Sequence, residues 1–249
     1  MGRAANRGSR KKYRITAPIS SRGAQYPPVP VAKTPSGGYI AGTEEARFRR
    51  IRAKSTRKER RLKMRKNFGV KSWLYPMPVL IVATYGENGE PDAMNAAWGG
   101  IHDTNQIGIC IDPGHKTAEN LRTRRSFTVG IADAAHMAEC DYVGIVSAHS
   151  EPEKLRKANF HTTRSEFVDA PLIDELPMTL ECRLASYDEQ TGCTVGEIVN
   201  VSADESILDA EGMIDPAKLR PLTFDPVHHR YRELGAAVGH AFREGLKLK

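Results

Sequence analysis

Between Gln106 and Asp112 isoleucine returns at every second residue, Ile107, Ile109 and Ile111, with Gly108 and Cys110 between them. Successive side chains of a strand point to opposite faces, so this period of two puts one face in a core and the other outside it. Ser126 to Ile131 repeats the pattern with Phe127, Val129 and Ile131. Met178 to Asp188 sets Met178, Leu180, Cys182 and Leu184 against Thr179, Glu181 and Arg183, and Cys193 to Ala203 reads as its partner. Pro78 to Tyr85 is apolar on both faces, as in a strand covered on two sides. Glu87-Asn88-Gly89-Glu90 turns it back through an Asn-Gly pair, which readily takes the positive dihedrals of a tight hairpin, into a strand from Asp92 to Trp98. A short strand is expected around Pro221 to Phe224.

Helical signals are few. They cover Thr117 to Arg124, Asp133 to Val143, and Glu151 to Phe160, the last opened by Ser150 as cap with Pro152 near its first turn. A fourth runs from Tyr231 to Phe242, where Leu234, Val238 and Phe242 share a stripe beside Gly235 and Gly239. Phe160 to Pro177 has no clear period and reads as a connection that wraps the surface or a neighbouring subunit. The whole is mainly β with peripheral helices, a closed or nearly closed barrel of six or so antiparallel strands.

Charge locates this domain. Residues 1–63 hold 18 of the chain's 37 Lys and Arg but only 3 of its 30 Asp and Glu, which leaves 19 basic against 27 acidic residues in the rest. The first 63 residues are expected to be a basic, disordered extension, with the folded domain at 64–249. A helix from Glu44 to Lys66 is conceivable once a polyanion neutralises its charges. Three readings of the extension stand side by side: an arm for nucleic acid or another anionic surface, a transit peptide interrupted by Glu44, Glu45 and Glu59, and a segment that is not native protein. The third rests on Lys58-Glu59-Arg60-Arg61, which a purine-rich ribosome-binding sequence gives when translated in frame just before Met64.

The four cysteines, 110, 140, 182 and 193, show no metal-ligand spacing. A turn near Glu189 to Gly192 pairs Cys193 with Asp188 and sets Cys182 opposite Val199, so these two are not expected to bridge. Without a signal peptide the thiols are expected reduced and the protein cytoplasmic, and no apolar run approaches the roughly 20 residues that cross a bilayer. His228-His229 lacks a third ligand, and Ser147 lacks the Gly-x-Ser-x-Gly turn of a hydrolase. No metal is expected.

One stretch carries chemistry. Asn95-Ala96-Ala97-Trp98-Gly99-Gly100 offers small side chains that let backbone N–H groups approach the edge of a flat ring. Lys116 and Thr117 open a helix, where unpaired N–H groups and the helix dipole favour a phosphate. The chain also resembles the flavin reductase-like family, in particular its flavoredoxin branch. The resemblance rests on Tyr75-Pro76-x-Pro78, Asn95-Ala96-Ala97-Trp98, Lys116-Thr117-x-x-Asn120, Asp141-Tyr142-x-Gly144-x-x-Ser147, Leu180-Glu181-Cys182 and Leu234-Gly235-x-x-Val238-Gly239-x-Ala241-Phe242. These occur in the family's order and cover roughly Met64 to Gly245.

That resemblance implies an FMN-binding split β-barrel, six-stranded, antiparallel and of Greek-key type, usually a homodimer with FMN held noncovalently near the subunit interface. It puts Asn95, Ala96, Ala97 and Trp98 along the isoalloxazine ring, Lys116 and Thr117 on the phosphate with His115 and Asn120 beside them, and Ser147 and Lys154 near the cofactor. Ala148 stands where many relatives have Gly, a departure in the path around Ser147. No catalytic residue is named, because the flavin itself does the chemistry. The expected function is an oxidoreductase passing electrons from NAD(P)H or a protein donor through FMN to a small-molecule or protein acceptor. The alternatives are a flavoredoxin-type electron carrier without its own NAD(P)H oxidation, and nucleic-acid binding through the basic arm. No membrane partner is expected.

Overall fold

The computed structural model describes residues 65–249, so the readings of the basic extension lie outside the described residues. The compact unit runs from Phe68 to Lys249. Its strands are β1 (Met77–Pro78), β2 (Leu80–Tyr85), β3 (Pro91–Ala96), β4 (Gly99–Asp103), β5 (Gln106–Cys110), β6 (Ser126–Ile131), β7 (Thr162–Arg164), β8 (Pro171–Ile173), β9 (Met178–Tyr187), β10 (Cys193–Ala203), β11 (Leu222–Asp225) and β12 (Arg230–Glu233). Three helices matter for the site: α1 (Lys116–Arg124), α2 (Met137–Ile145) and the single turn α3 (Lys154–Lys157).

Seven strands form the main sheet in the order β3-β2-β6-β9-β10-β5-β4, with every pairing antiparallel. The sheet curls into a half-barrel around Leu80, Val82, Ile107, Ile109, Phe127, Val129, Leu180 and Cys182, the inward positions that the period of two marks. Peripheral elements are the sheet β1-β11-β12 and the hairpin β7–β8.

The doubly apolar β2 is explained inside one chain. Leu80 and Val82 face the barrel, while Val79, Ile81 and Ala83 pack against Cys140, Val143, Leu155, Phe160, Ile173 and Leu176 from the helices and the 160–177 connection. That connection therefore covers its own barrel, burying Phe160, Ala170, Ile173 and Leu176.

The structure corrects several boundaries. The main sheet has seven strands because Gly99–Asp103 forms β4, a segment exposed along most of its length and held by pairing with β5, with no alternation to announce it. β3 accordingly ends at Ala96. The turn before it has a positive φ at Gly89 alone, +89°. α2 begins a turn later than its sequence signal, and the helix expected over Glu151 to Phe160 shrinks to α3. A bulge at Val199 slips the β9–β10 register, so Cys182 faces Ile198.

The expected helix from Tyr231 to Phe242 is replaced by β12 and an irregular tail. Among the described residues its stripe finds nothing to pack on, with Leu234 52% exposed and Val238 and Phe242 fully exposed. Gly235 and Gly239 each cost about 1 kcal/mol in a helix relative to Ala, which an unpacked stripe does not offset. Among the described residues no helix is long and apolar enough to cross a membrane.

Candidate functional site

The site begins at the start of α1. His115, the residue before the helix, has extended dihedrals and makes no side-chain cap, so the first N–H groups are left to an outside acceptor. Beside them Lys116 Nζ lies 2.6 Å from Glu119 Oε1, and this hydrogen bond holds the Glu119 carboxyl below its usual range. Thr117 is buried, and its hydroxyl donates to Asp92 Oδ2 at 2.8 Å.

Across from α1 stands the segment that follows α2. Gly144 lets α2 come against β3, for a Cβ there would fall 2.7 Å from Asn95 Cβ. Asn95 Nδ2 donates to the Cys140 carbonyl at 3.1 Å, and the Tyr231 hydroxyl donates to Asp141 Oδ1 at 2.7 Å, fastening the helix from both sides. Burial, then the Asp141 carboxylate, pushes the Tyr231 phenol well up. The chain then turns through Val146 and Ser147 toward α3.

Between α1 and this turn lies a cavity of about 190 Å³ lined by Met94, His115, Lys116, Thr117, Gly144, Ser147, Ala148 and Lys154, among others. Lys154 is 3% exposed, with Nζ 2.9 Å from Asp92 Oδ1 and 3.2 Å from the Val146 carbonyl that accepts from it. Of the ammonium's three protons one is given in an aligned hydrogen bond, to the Val146 carbonyl, which leaves donor capacity for an anion in the cavity. Asp92 Oδ1 has no aligned hydrogen-bond donor, only the ion-pair contact. Asp92, Thr117 and Lys154 thus form a buried cluster behind the cavity that fixes the lysine head in place.

A second, larger cavity of about 570 Å³ opens on the outer face at the β3–β4 junction, lined by Trp73, Leu74, Pro76, Ala97, Trp98, Gly99 and Cys110, among others. Its wall is apolar and exposed, with Trp98 56% and Leu74 66% exposed. A third, of about 210 Å³, lies between these two stretches of chain and includes Asn95, Ala97, Asp141 and Tyr231.

The residues singled out in the sequence therefore separate into groups. His115, Lys116, Thr117, Ser147 and Lys154 line one cavity, although three separate elements carry them. Ala97 and Trp98 line the apolar one. Ala96 is buried in the barrel core, and the Asn95 side chain holds α2. Asn120 is buried behind the helix, its amide donating to Thr84 Oγ1 at 3.1 Å. Asp92 is the residue that sequence reasoning passed over. A carboxylate beside the inward positions of a strand was the available signal, since buried charges require partners. Trp73 was equally silent, lying before the first strand.

A half-barrel of antiparallel strands with a small cavity at a helix start and a larger apolar one at the β3–β4 junction defines a split-barrel protein of the flavin-binding class. The flavin reductase like domain model matches residues 72–234, and the chain belongs to the flavin reductase-like family, in its flavoredoxin branch. It is 34% identical to the flavoredoxin of Desulfovibrio vulgaris (Miyazaki F), over 73% of this chain and 100% of that one, with a TM-score of 0.70. It is 27% identical to the flavoredoxin of Methanosarcina acetivorans, over 75% of this chain and 99% of that one, with a TM-score of 0.67. An FMN-binding domain of a flavin reductases-like enzyme from Shewanella baltica shares the fold at 20% identity, over 66% of this chain and 88% of that one, with a TM-score of 0.59.

Proposed function

We propose that this protein binds FMN noncovalently and passes electrons through it, from NAD(P)H or a protein donor to a second acceptor. The observation that carries the reading is the convergence of His115, Lys116, Thr117, Ser147 and the buried Lys154 on one cavity at an uncapped helix start. These residues suit the FMN phosphate: the free N–H groups and the Lys154 ammonium are all donors, and the helix dipole favours the negative charge. Ala97 and Trp98 would lie along the ring, where small residues and exposed apolar surface suit a flat heterocycle. Bound FMN supplies hydride and electron transfer, so the chain's own task is to hold the ring in position and leave a donor access.

The apolar wall of Trp73, Leu74 and Trp98 supports a second proposal, a homodimer that closes this surface. The apolar second face of β2 gives no support to a dimer, because the chain's own helices and 160–177 connection cover it.

A carrier reading, in which FMN stays bound and the chain oxidises no NAD(P)H itself, is favoured by the 34% identity to a flavoredoxin. One experiment separates the two. Protein mixed with FMN and passed through gel filtration is recorded in the visible, anaerobically, with and without NADH or NADPH. Retained bands that bleach support the oxidoreductase, retained bands that persist support the carrier, and loss of the bands defeats bound FMN altogether.

A further inference from the structure

The β5–β10 ladder sets Cys110 directly opposite Cys193. Both thiols are free and exposed, whereas Cys140 and Cys182 are buried. The flanking hydrogen bonds fix the phase of this ladder. Ile111 N donates to the Gly192 carbonyl at 2.8 Å at one end, and Ile198 N donates to the Asn105 carbonyl at 2.8 Å at the other. Hydrogen-bonded and non-hydrogen-bonded pairs alternate along antiparallel strands, so Cys110 and Cys193 form a non-hydrogen-bonded pair. In such pairs the Cα atoms are about 4.5 Å apart and the side chains share a face at their closest. That spacing lies within the range a disulfide spans.

The shared face is the outer one. Ile107 and Ile109 of β5 and Thr194 of β10 are buried in the barrel, which leaves Gly108, Cys110 and Cys193 on the opposite side. Cys110 N also donates to the Trp98 carbonyl at 2.8 Å, so Trp98, Cys110 and Cys193 stand in one row across three neighbouring chain segments. Cys110 itself lines the cavity of about 570 Å³ beside Trp98.

We propose that Cys110 and Cys193 are a thiol pair that closes reversibly into a cross-strand disulfide under attack by a low-molecular-weight disulfide such as oxidised glutathione. One cysteine thiolate, having released its proton to water, attacks a glutathione sulfur. A mixed disulfide forms and one glutathione thiolate leaves. The second cysteine, likewise deprotonated, then attacks the protein sulfur of that mixed disulfide and displaces the second glutathione thiolate. The two cysteines are oxidised by two electrons, and one glutathione disulfide is reduced to two thiols. Burial pushes the Cys140 and Cys182 thiols up to about 12 and keeps them out of this exchange. The proposal does not depend on flavin binding. It adds to the site a covalent tie between β5 and β10 at the strand end that carries the Trp98 wall.

The test uses the full chain, reduced and then equilibrated in glutathione buffers of rising oxidation, quenched in acid and weighed intact. The expected product is lighter by two hydrogen atoms, keeps two of its four thiols, and yields a peptide joining Cys110 to Cys193. C110S and C193S each end instead with one bound glutathione that reduction removes. A wild type that retains four thiols, that ends as a stable glutathione adduct, or that links two chains on a non-reducing gel overturns the proposal, as does an internal bond involving Cys140 or Cys182.

Discussion

Two lysines line the small cavity and differ in how the chain holds them. Lys116 is partly exposed and paired with Glu119 within one helix, an arrangement worth about 0–1 kcal/mol. Lys116→Glu is therefore expected to leave the unfolding midpoint nearly unchanged while weakening FMN binding about tenfold or more, read by fluorescence titration of the flavin. Unchanged affinity would remove Lys116 from the phosphate site. Lys154 is buried against Asp92, and Lys154→Met leaves that carboxylate without its countercharge, at an expected cost of about 3–5 kcal/mol in denaturant unfolding. The double variant with Asp92→Asn should recover part of this loss, and a purely additive result would show that the two do not act as a pair. Asp225 offers a pH test. The Tyr75 hydroxyl, then His228 and Arg232, hold its carboxyl far below the usual range. A depressed carboxyl contributes stability above its unfolded value of about 3.9 and loses it as pH falls through the folded one. Amide protection at Met77 and Phe224, paired on β1 and β11, is expected to fall below about pH 4 when exchange is taken relative to the unfolded chain at the same pH, and Asp225→Asn should show that lower protection already at neutral pH.

Elements that the alternation marks were legible, because burying one face of a strand writes itself into every second residue. β6, β9 and β10 fall within a residue of their expected limits, and β5 stops at Cys110, two residues short of its own. β4 was not legible, since two glycines and an exposed His102 carry no face, and only the hydrogen bonds offered by β5 make it a strand. The C-terminal stripe misled for the opposite reason: its periodicity is helical, yet an amphipathic helix is stable only where something covers its apolar side. Of the candidate site, the helix start at Lys116 could be read from sequence, but its closeness to Ser147 and Lys154 depends on how near α2 comes to β3. Gly144 sets that distance. Gly144→Ala is expected to cost about 1–3 kcal/mol by pushing α2 off Asn95, and to weaken FMN binding as the Ser147 turn moves with it. A variant with wild-type stability and affinity would show that the contact yields without consequence.

At the scale of the whole molecule, the open question is what meets the apolar wall. If a second copy does, Leu74→Glu should shift sedimentation of the protein toward the monomer, because a carboxylate placed on a 66% exposed apolar side chain of the wall opposes burial there. A wild type that sediments as a monomer would defeat the dimer before any variant is made. The sequence by itself determined a curled antiparallel barrel, its inward residues and a helix start suited to an anion. Each of these follows from local periodicity or from unpaired backbone groups, which neighbours along the chain are enough to specify. Only the tertiary structure decided that β2 is covered on both sides by its own chain, that Asp92 neutralises Lys154, and that Cys110 meets Cys193. These are contacts between residues far apart in sequence, fixed by strand order and register, and no short window of residues contains both partners.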